Sequence, residues 1–278
     1  MNLKKTVIIS LAALACAGFI AGCGSDKKDA ASADPAKTKN EIKVGTTPGY
    51  SEQVVEFVAK EAEKEGLKVT IVPFSDYVTP NQALAQGDID VNSYQHVPFL
   101  EAFNEKNGTK LVPIGNTYLA PLRLFSNKHK TLSDLPNGAS IAIPNDPSNG
   151  GRAILVLANA GLIKVKDIKN VTTTVADITE NPHNFKFLEL DAATIPRSLP
   201  DVTFAVINAN YAIPAGLNPT KDSIILESAD NPFVNIFVTK KTNENDPQIT
   251  KLKEIYQSAD NEKFIMEHFQ GTILPAWK

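Results

Sequence analysis

Two series of alternating strand-patterned and helix-patterned segments constrain this chain more than any other feature. The first series runs through strands at 42–45, 68–74, 89–91 and 111–114, with helices at 51–66, 80–86 and 98–106 between and after them. In the first of these helices Val54, Val58 and Ala62 recur every four residues and Gly66 marks the stop. The second series has strands at 139–143, 171–175, 187–190 and 203–207, with helices at 150–160 and 194–199. Extended stretches at 118–126 and 233–239 bracket it, and helical patterns at 247–258 and 261–269 close the chain without a strand of their own. Alternation of this kind predicts an α/β protein of two Rossmann-like lobes with a central cleft. The closing helices pack most simply on the first lobe, so the expected lobes are 41–124 with 235–278, and 125–234. Ligands of open parallel sheets bind beyond the carboxyl ends of the strands, which here face the cleft.

The N-terminus reads as an address rather than as part of this fold. Lys4 and Lys5 precede an apolar run over 7–20 that is short for a membrane span, and Ile20-Ala21-Gly22-Cys23 follows it. Small residues ahead of a cysteine at the end of such a run match a bacterial lipobox. The expectation is a lipoprotein signal peptide over 1–22, a lipidated Cys23, and a polar tether over 23–40 rich in Ser, Ala, Asp and Lys. Cys16 leaves with the signal, so no free thiol remains. The folded body is then held at the cell membrane on its extracytoplasmic side. No GxxxxGK[ST] phosphate loop occurs, in keeping with a compartment poor in ATP.

Composition narrows the function further. With 28 Lys+Arg against 31 Asp+Glu, no basic excess exists to neutralise a nucleic-acid backbone. The four histidines have no HExxH spacing, and no GxSxG elbow occurs. Asp88 and Asp90 could face one side of an extended chain as a carboxylate pair, or simply begin a strand. No catalytic constellation, metal cluster or cofactor motif emerges, and the expectation is a binding protein rather than an enzyme.

The best local signal is Asn145-Asp146-Pro147-Ser148-Asn149-Gly150-Gly151-Arg152, between a strand and a helix. Ser148 or Asn149 can cap that helix, and Gly150 and Gly151 would let a ligand approach the backbone. Helix N-termini carry partial positive charge, so Arg152 there is unfavourable unless an anion arrives. The alternative is an arginine turned to solvent. A second group is aromatic: Phe74, Tyr77, Tyr94, His96 and Phe99, with Tyr94-Gln95-His96 just past the strand at 89–91. These residues either line the cleft or pack in the core. Asn208, Asn210 and Asn235 lie at the strand end or in the return crossing. Each offers a donor and an acceptor suited to a zwitterion, or else serves a turn.

The body from about residue 41 to 278 resembles the methionine-binding lipoproteins of the NlpA/MetQ family. The matching stretches are Phe74-Ser75-Asp76-Tyr77 with Pro80-Asn81, Gly87-Asp88-Ile89-Asp90 with Tyr94-Gln95-His96, and Val112-Pro113-Ile114-Gly115-Asn116-Thr117. They continue with Ile143-Pro144-Asn145-Asp146-Pro147-Ser148-Asn149, Pro196-Arg197-Ser198-Leu199, the Ala205–Ala212 run Ala-Val-Ile-Asn-Ala-Asn-Tyr-Ala, and Phe233-Val234-Asn235. The resemblance implies a type II periplasmic-binding-protein fold and a free amino acid as ligand, usually L-methionine. It implies that Arg152, helped by Asn149, holds the α-carboxylate. Asn210 and Asn235 would hold the ammonium and carboxylate, and Phe74, Tyr77, Tyr94, His96 and Phe99 would surround the thioether. Partners would be an ABC permease and its cytoplasmic ATPase. Many members carry a histidine where this chain has Gly49-Tyr50-Ser51. Other readings are a receptor for a different amino acid, D-methionine or a methionine dipeptide, and an adhesin-type surface lipoprotein.

Overall fold

A computed structural model describes residues 40–277. The signal, the lipobox with Cys23 and the tether up to residue 39 lie outside the described residues. The chain begins with β1 (Glu41–Thr46), α1 (Tyr50–Lys64), β2 (Lys68–Pro73), α2 (Thr79–Gln86), β3 (Val91–His96), α3 (Val97–Asn107) and β4 (Leu111–Asn116). A short β5 (Tyr118–Leu119) leads to β6 (Arg123–Phe125) and β7 (Ser140–Pro144), then α4 (Pro147–Asn159), β8 (Lys164–Val165), β9 (Ile178–Glu180) and β10 (Lys186–Leu190). After α5 (Ile195–Ser198), β11 (Phe204–Ile207), α6 (Ala209–Ala212) and β12 (Ser223–Leu226), the chain returns through β13 (Asn235–Lys240). It ends with α7 (Pro247–Tyr256), α8 (Ala259–Phe269) and β14 (Leu274–Pro275).

Two five-stranded sheets result, in the orders β2-β1-β3-β13-β4 and β10-β7-β11-β6-β12. The β1–β2, β1–β3, β7–β10 and β7–β11 pairs are parallel. Each crossing supplies the one antiparallel strand in the interior of the sheet it enters: β6 between β11 and β12, and β13 between β3 and β4. The second sheet therefore already begins at Arg123. Apolar side chains cover both faces of each sheet. Val54, Val58 and Ala62 of α1 join Leu252, Tyr256 and Ile265 of the closing helices on one face of the first sheet, while Leu84, Leu100 and Phe103 cover the other. No described helix is long and apolar enough to cross a membrane.

Two of the expected strands differ from the sequence reading. The strand expected at 89–91 runs instead over Val91–His96, and all six of its residues are buried. Its polar side chains look like an exit from the sheet, but those of Asn92 and Gln95 are satisfied by each other and by Asn81. Asn92 Nδ2 donates to Asn81 Oδ1 at 2.8 Å, Asn81 Nδ2 to Gln95 Oε1 at 2.7 Å, and Gln95 Nε2 to Asn92 Oδ1 at 2.8 Å. A buried polar group so paired carries no desolvation penalty that would expel the strand. The strand expected at 171–175 is absent. Asn170 Oδ1 accepts from Thr172 N and Thr172 Oγ1, a local closure that competes with extended pairing.

Candidate ligand-binding site

A cavity lies between the two sheets. Its walls come from residues at or just beyond the carboxyl ends of parallel strands. Tyr50 follows β1, His96 ends β3, Asn149 and Arg152 follow β7, and Asn208 to Asn210 follow β11. Asn235 opens antiparallel β13 opposite His96, so it reaches the same end of the first sheet.

Arg152 stands in the second turn of α4. The cap of that helix is Asp146, whose carboxylate accepts from Asn149 N at 2.9 Å; Ser148 and Asn149 lie inside the helix. The expected clash of positive charges is thus relieved by Asp146. Gly150 and Gly151 also serve the chain rather than a ligand. A Cβ at Gly150 would come within 2.8 Å of Pro144 O, and one at Gly151 within 2.6 Å of Val171 O. The arginine does not face solvent, being only 3% exposed. Nε donates to Glu227 Oε1 at 2.8 Å, and Nη2 donates to Ala120 O at 2.9 Å and to Glu227 Oε2. The guanidinium lies 4.6 Å above the ring centre of Phe233. Among the described residues Nη1 has no hydrogen-bond partner, while the side chain lines the cavity. Glu227 thus grips one edge of the fork and leaves a donor for an anion in the cavity.

Polar contacts join the lobes around this arginine. Tyr77 OH donates to Asn210 Oδ1 at 2.6 Å, and Asn210 Nδ2 donates to Thr47 Oγ1 at 3.2 Å. His96 Nε2 lies 3.4 Å from Asn149 Oδ1. Because His96 Nδ1 accepts from Phe99 N, the proton sits on Nε2, which donates to Asn149. Burial, and then the charge of Arg152, push the His96 pKa down to about 3, so the ring is neutral at physiological pH. Asn235 Nδ2 donates to Tyr94 O at 3.4 Å. Tyr77, Tyr94 and Phe99 form an aromatic group with ring centres 5.9–6.1 Å apart, and burial raises both phenols, keeping them neutral.

The cavity gathers Arg152, Asn149, Asn210, Asn235, Tyr77, Tyr94, His96 and Phe99. It does not include Phe74. That ring packs against the cluster of Leu84, Ile89 and Leu100, where its backbone still continues the pairing of β2, Phe74 N donating to Thr46 O at 2.9 Å. Neither Asp88 nor Asp90 lines the cavity. Asp90 anchors the entry to β3, its carboxylate accepting from Lys43 N at 2.9 Å. Tyr50, Gln95, Ala120 and Ala209 line the cavity without having been singled out. Tyr50, the first residue of α1, stands where the family pattern was departed from and lines the cavity. Glu227 escaped notice because an acid after a strand carries no sequence signal of burial.

The NlpA lipoprotein family matches residues 42–277. The chain belongs to this family. The D-methionine-binding lipoprotein MetQ of Escherichia coli (strain K12) is 41% identical over 280 residues, covering all of both chains. A probable D-methionine-binding lipoprotein MetQ of Pasteurella multocida is 40% identical over 276 residues, 99% of this chain and all of that relative. Among solved structures, a nutrient binding protein from Burkholderia cenocepacia bound to methionine superposes with a TM-score of 0.82 at 46% identity, over 85% of this chain and all of that one. The fold is accordingly the two-lobed α/β fold of periplasmic substrate-binding proteins, and the NlpA family is by name and fold a family of binding proteins.

Proposed function

We propose that this protein is a lipid-anchored extracytoplasmic receptor that closes on methionine and delivers it to an ABC permease driven by a cytoplasmic ATPase. The observation that carries the reading is Arg152, buried in the cleft with its fork clamped by Glu227 and Nη1 unmatched. Arg152 would take the α-carboxylate. Asn149, Asn210 and Asn235 would bound the charged end, and Tyr77, Tyr94, His96 and Phe99 would surround the thioether, whose soft sulfur suits aromatic edges. Phe74 has no place in this reading.

Residues 41–122 with 235–278 act as one jaw and 123–234 as the other. The ligand shifts the lobes toward closure because it binds the shut form better, completing the polar groups that closure desolvates. The anchor would be Cys23, freed by removal of residues 1–22. The names of the MetQ relatives make D-methionine a ligand to be compared with the L-enantiomer.

Mass spectrometry of ligand retained through mild purification, with calorimetry against L- and D-methionine, other amino acids and a methionine dipeptide, tests the reading. Methionine bound tightly, and methionine uptake lost on deletion of the gene, is the expected outcome. Binding of an unrelated solute overturns the ligand assignment. Loss of adhesion with uptake intact favours an adhesin role instead.

A further inference from the structure

We propose that Asn208 supplies the acceptor for the ligand's ammonium group, and that Asp146 sets it in place through a one-way chain of hydrogen bonds. The inference rests on the amino-acid reading above and names a specificity residue within it.

The chain starts at a carboxylate, which only accepts when ionised. Asn149 Nδ2 donates to both oxygens of Asp146, each at 3.1 Å, which fixes the amide with its nitrogen toward Asp146 and Oδ1 away from it. Two groups converge on that Oδ1, His96 Nε2 at 3.4 Å and Asn208 Nδ2 at 3.0 Å. An amide oxygen cannot donate, so Asn208 must present its nitrogen to Asn149 and turn its own oxygen the other way. His96 cannot reverse the order, since its Nδ1 is occupied as an acceptor from Phe99 N.

The end of the chain is an unanswered group. Asn208 Oδ1 is buried with no hydrogen-bond partner among the described residues, the residue is 8% exposed, and it lines the cavity. A buried carbonyl oxygen without a donor is costly. A carboxylate would repel it; an ammonium satisfies it with a charge-assisted bond. The polarity of the bound zwitterion follows: the carboxylate goes to Arg152 and the nitrogen to Asn208.

The test compares two ligands, L-methionine and 4-(methylthio)butanoate, which keeps the carboxylate and thioether but lacks the amine. Calorimetry is run on the wild type, Asn208→Ala and Asp146→Asn. Both variants are expected to lose tenfold or more in affinity for methionine while binding the amine-free acid within about twofold of wild type. A merely structural role weakens both ligands alike, and that result overturns the proposal. Selective loss in Asn208→Ala with Asp146→Asn unchanged overturns the part given to Asp146. Should Asn208→Ala not fold, a crystal structure of the wild type with methionine decides. An ammonium nitrogen within hydrogen-bond reach of Asn208 Oδ1 supports the assignment, and one beyond 3.5 Å, a limit longer than any ordinary hydrogen bond of this kind, overturns it. Wild-type protein that binds neither ligand overturns the amino-acid reading itself and this inference with it.

Discussion

Glu227 binds Arg152 and Leu122 with the same carboxylate, so the cleft's arginine and the two interlobe crossings share one buried charge. Its Oε1 accepts from Arg152 Nε at 2.8 Å, and its Oε2 accepts from Leu122 N at 2.8 Å. Glu227 N in turn donates to Leu122 O at 3.0 Å. The ion pair's side chains are 4% and 8% exposed, which places it among pairs whose strength depends on both partners being present.

Arg152→Ala therefore costs stability as well as ligand. Removing the guanidinium leaves Glu227 charged and buried, a loss of about 3–5 kcal/mol. The double variant Arg152→Met with Glu227→Gln regains most of that stability, because the amide oxygen still accepts from Leu122 N. It does not regain methionine affinity. Urea unfolding alongside calorimetry measures both, and a single variant as stable as wild type contradicts the account.

Tyr77→Phe removes the donor that reaches Asn210 across the cleft. Ligand affinity should fall by roughly fivefold to tenfold, the worth of one hydrogen bond of about 1 kcal/mol. Small-angle scattering of the ligand-free variant should show a larger radius of gyration than wild type. Unchanged affinity and size would remove this bond from closure.

His96 gives the protein an acid sensitivity. Its folded pKa is depressed to about 3 from the usual 6.5, with burial the main cause. Below pH 6.5 the unfolded chain takes up a proton that the folded chain refuses, so stability is full above that pH and falls as pH drops toward 3. The slope is about 1.4 kcal/mol per pH unit, or about 2 kcal/mol between pH 6.5 and 5. His96→Gln should lose this increment, as judged by urea midpoints at the two pH values.

Gly151→Ala tests the seat of α4. The new methyl group would meet Val171 O and Thr173 O, at 2.6 and 2.9 Å, and both are backbone atoms that cannot rotate away. A loss of about 1–3 kcal/mol is expected from such overpacking. Methionine affinity should fall with it, because α4 carries Arg152. Thermal unfolding and calorimetry together check this.

The alternation of strand and helix was legible because apolar spacing reports which face of an element is covered. Val54, Val58 and Ala62 lie on the buried face of α1. Arg152 was legible from its position after a strand, although the local charge argument assigned it the wrong neighbours. The partner acid Glu227 comes from 75 residues further along and from an element with no pattern of its own. The burial of Asn92 and Gln95 was hidden for a related reason. Polar side chains satisfied by a residue from another element, here Asn81, look the same in sequence as polar side chains facing water. Phe74 falls outside the cavity because its ring packs on Leu84 and Ile89, a contact with later elements that its place at the end of β2 does not reveal.

The position of β13 governs the order in which the protein can mature. It lies between β3 and β4, yet it comes from residues 235–240, long after both neighbours have been synthesised. Until that segment arrives, β3 and β4 present a seam of unpaired backbone groups, and Asn235 cannot be set against His96. A ribosome-bound or truncated chain ending before residue 235 would carry a finished second lobe beside a first lobe that cannot yet grip any solute.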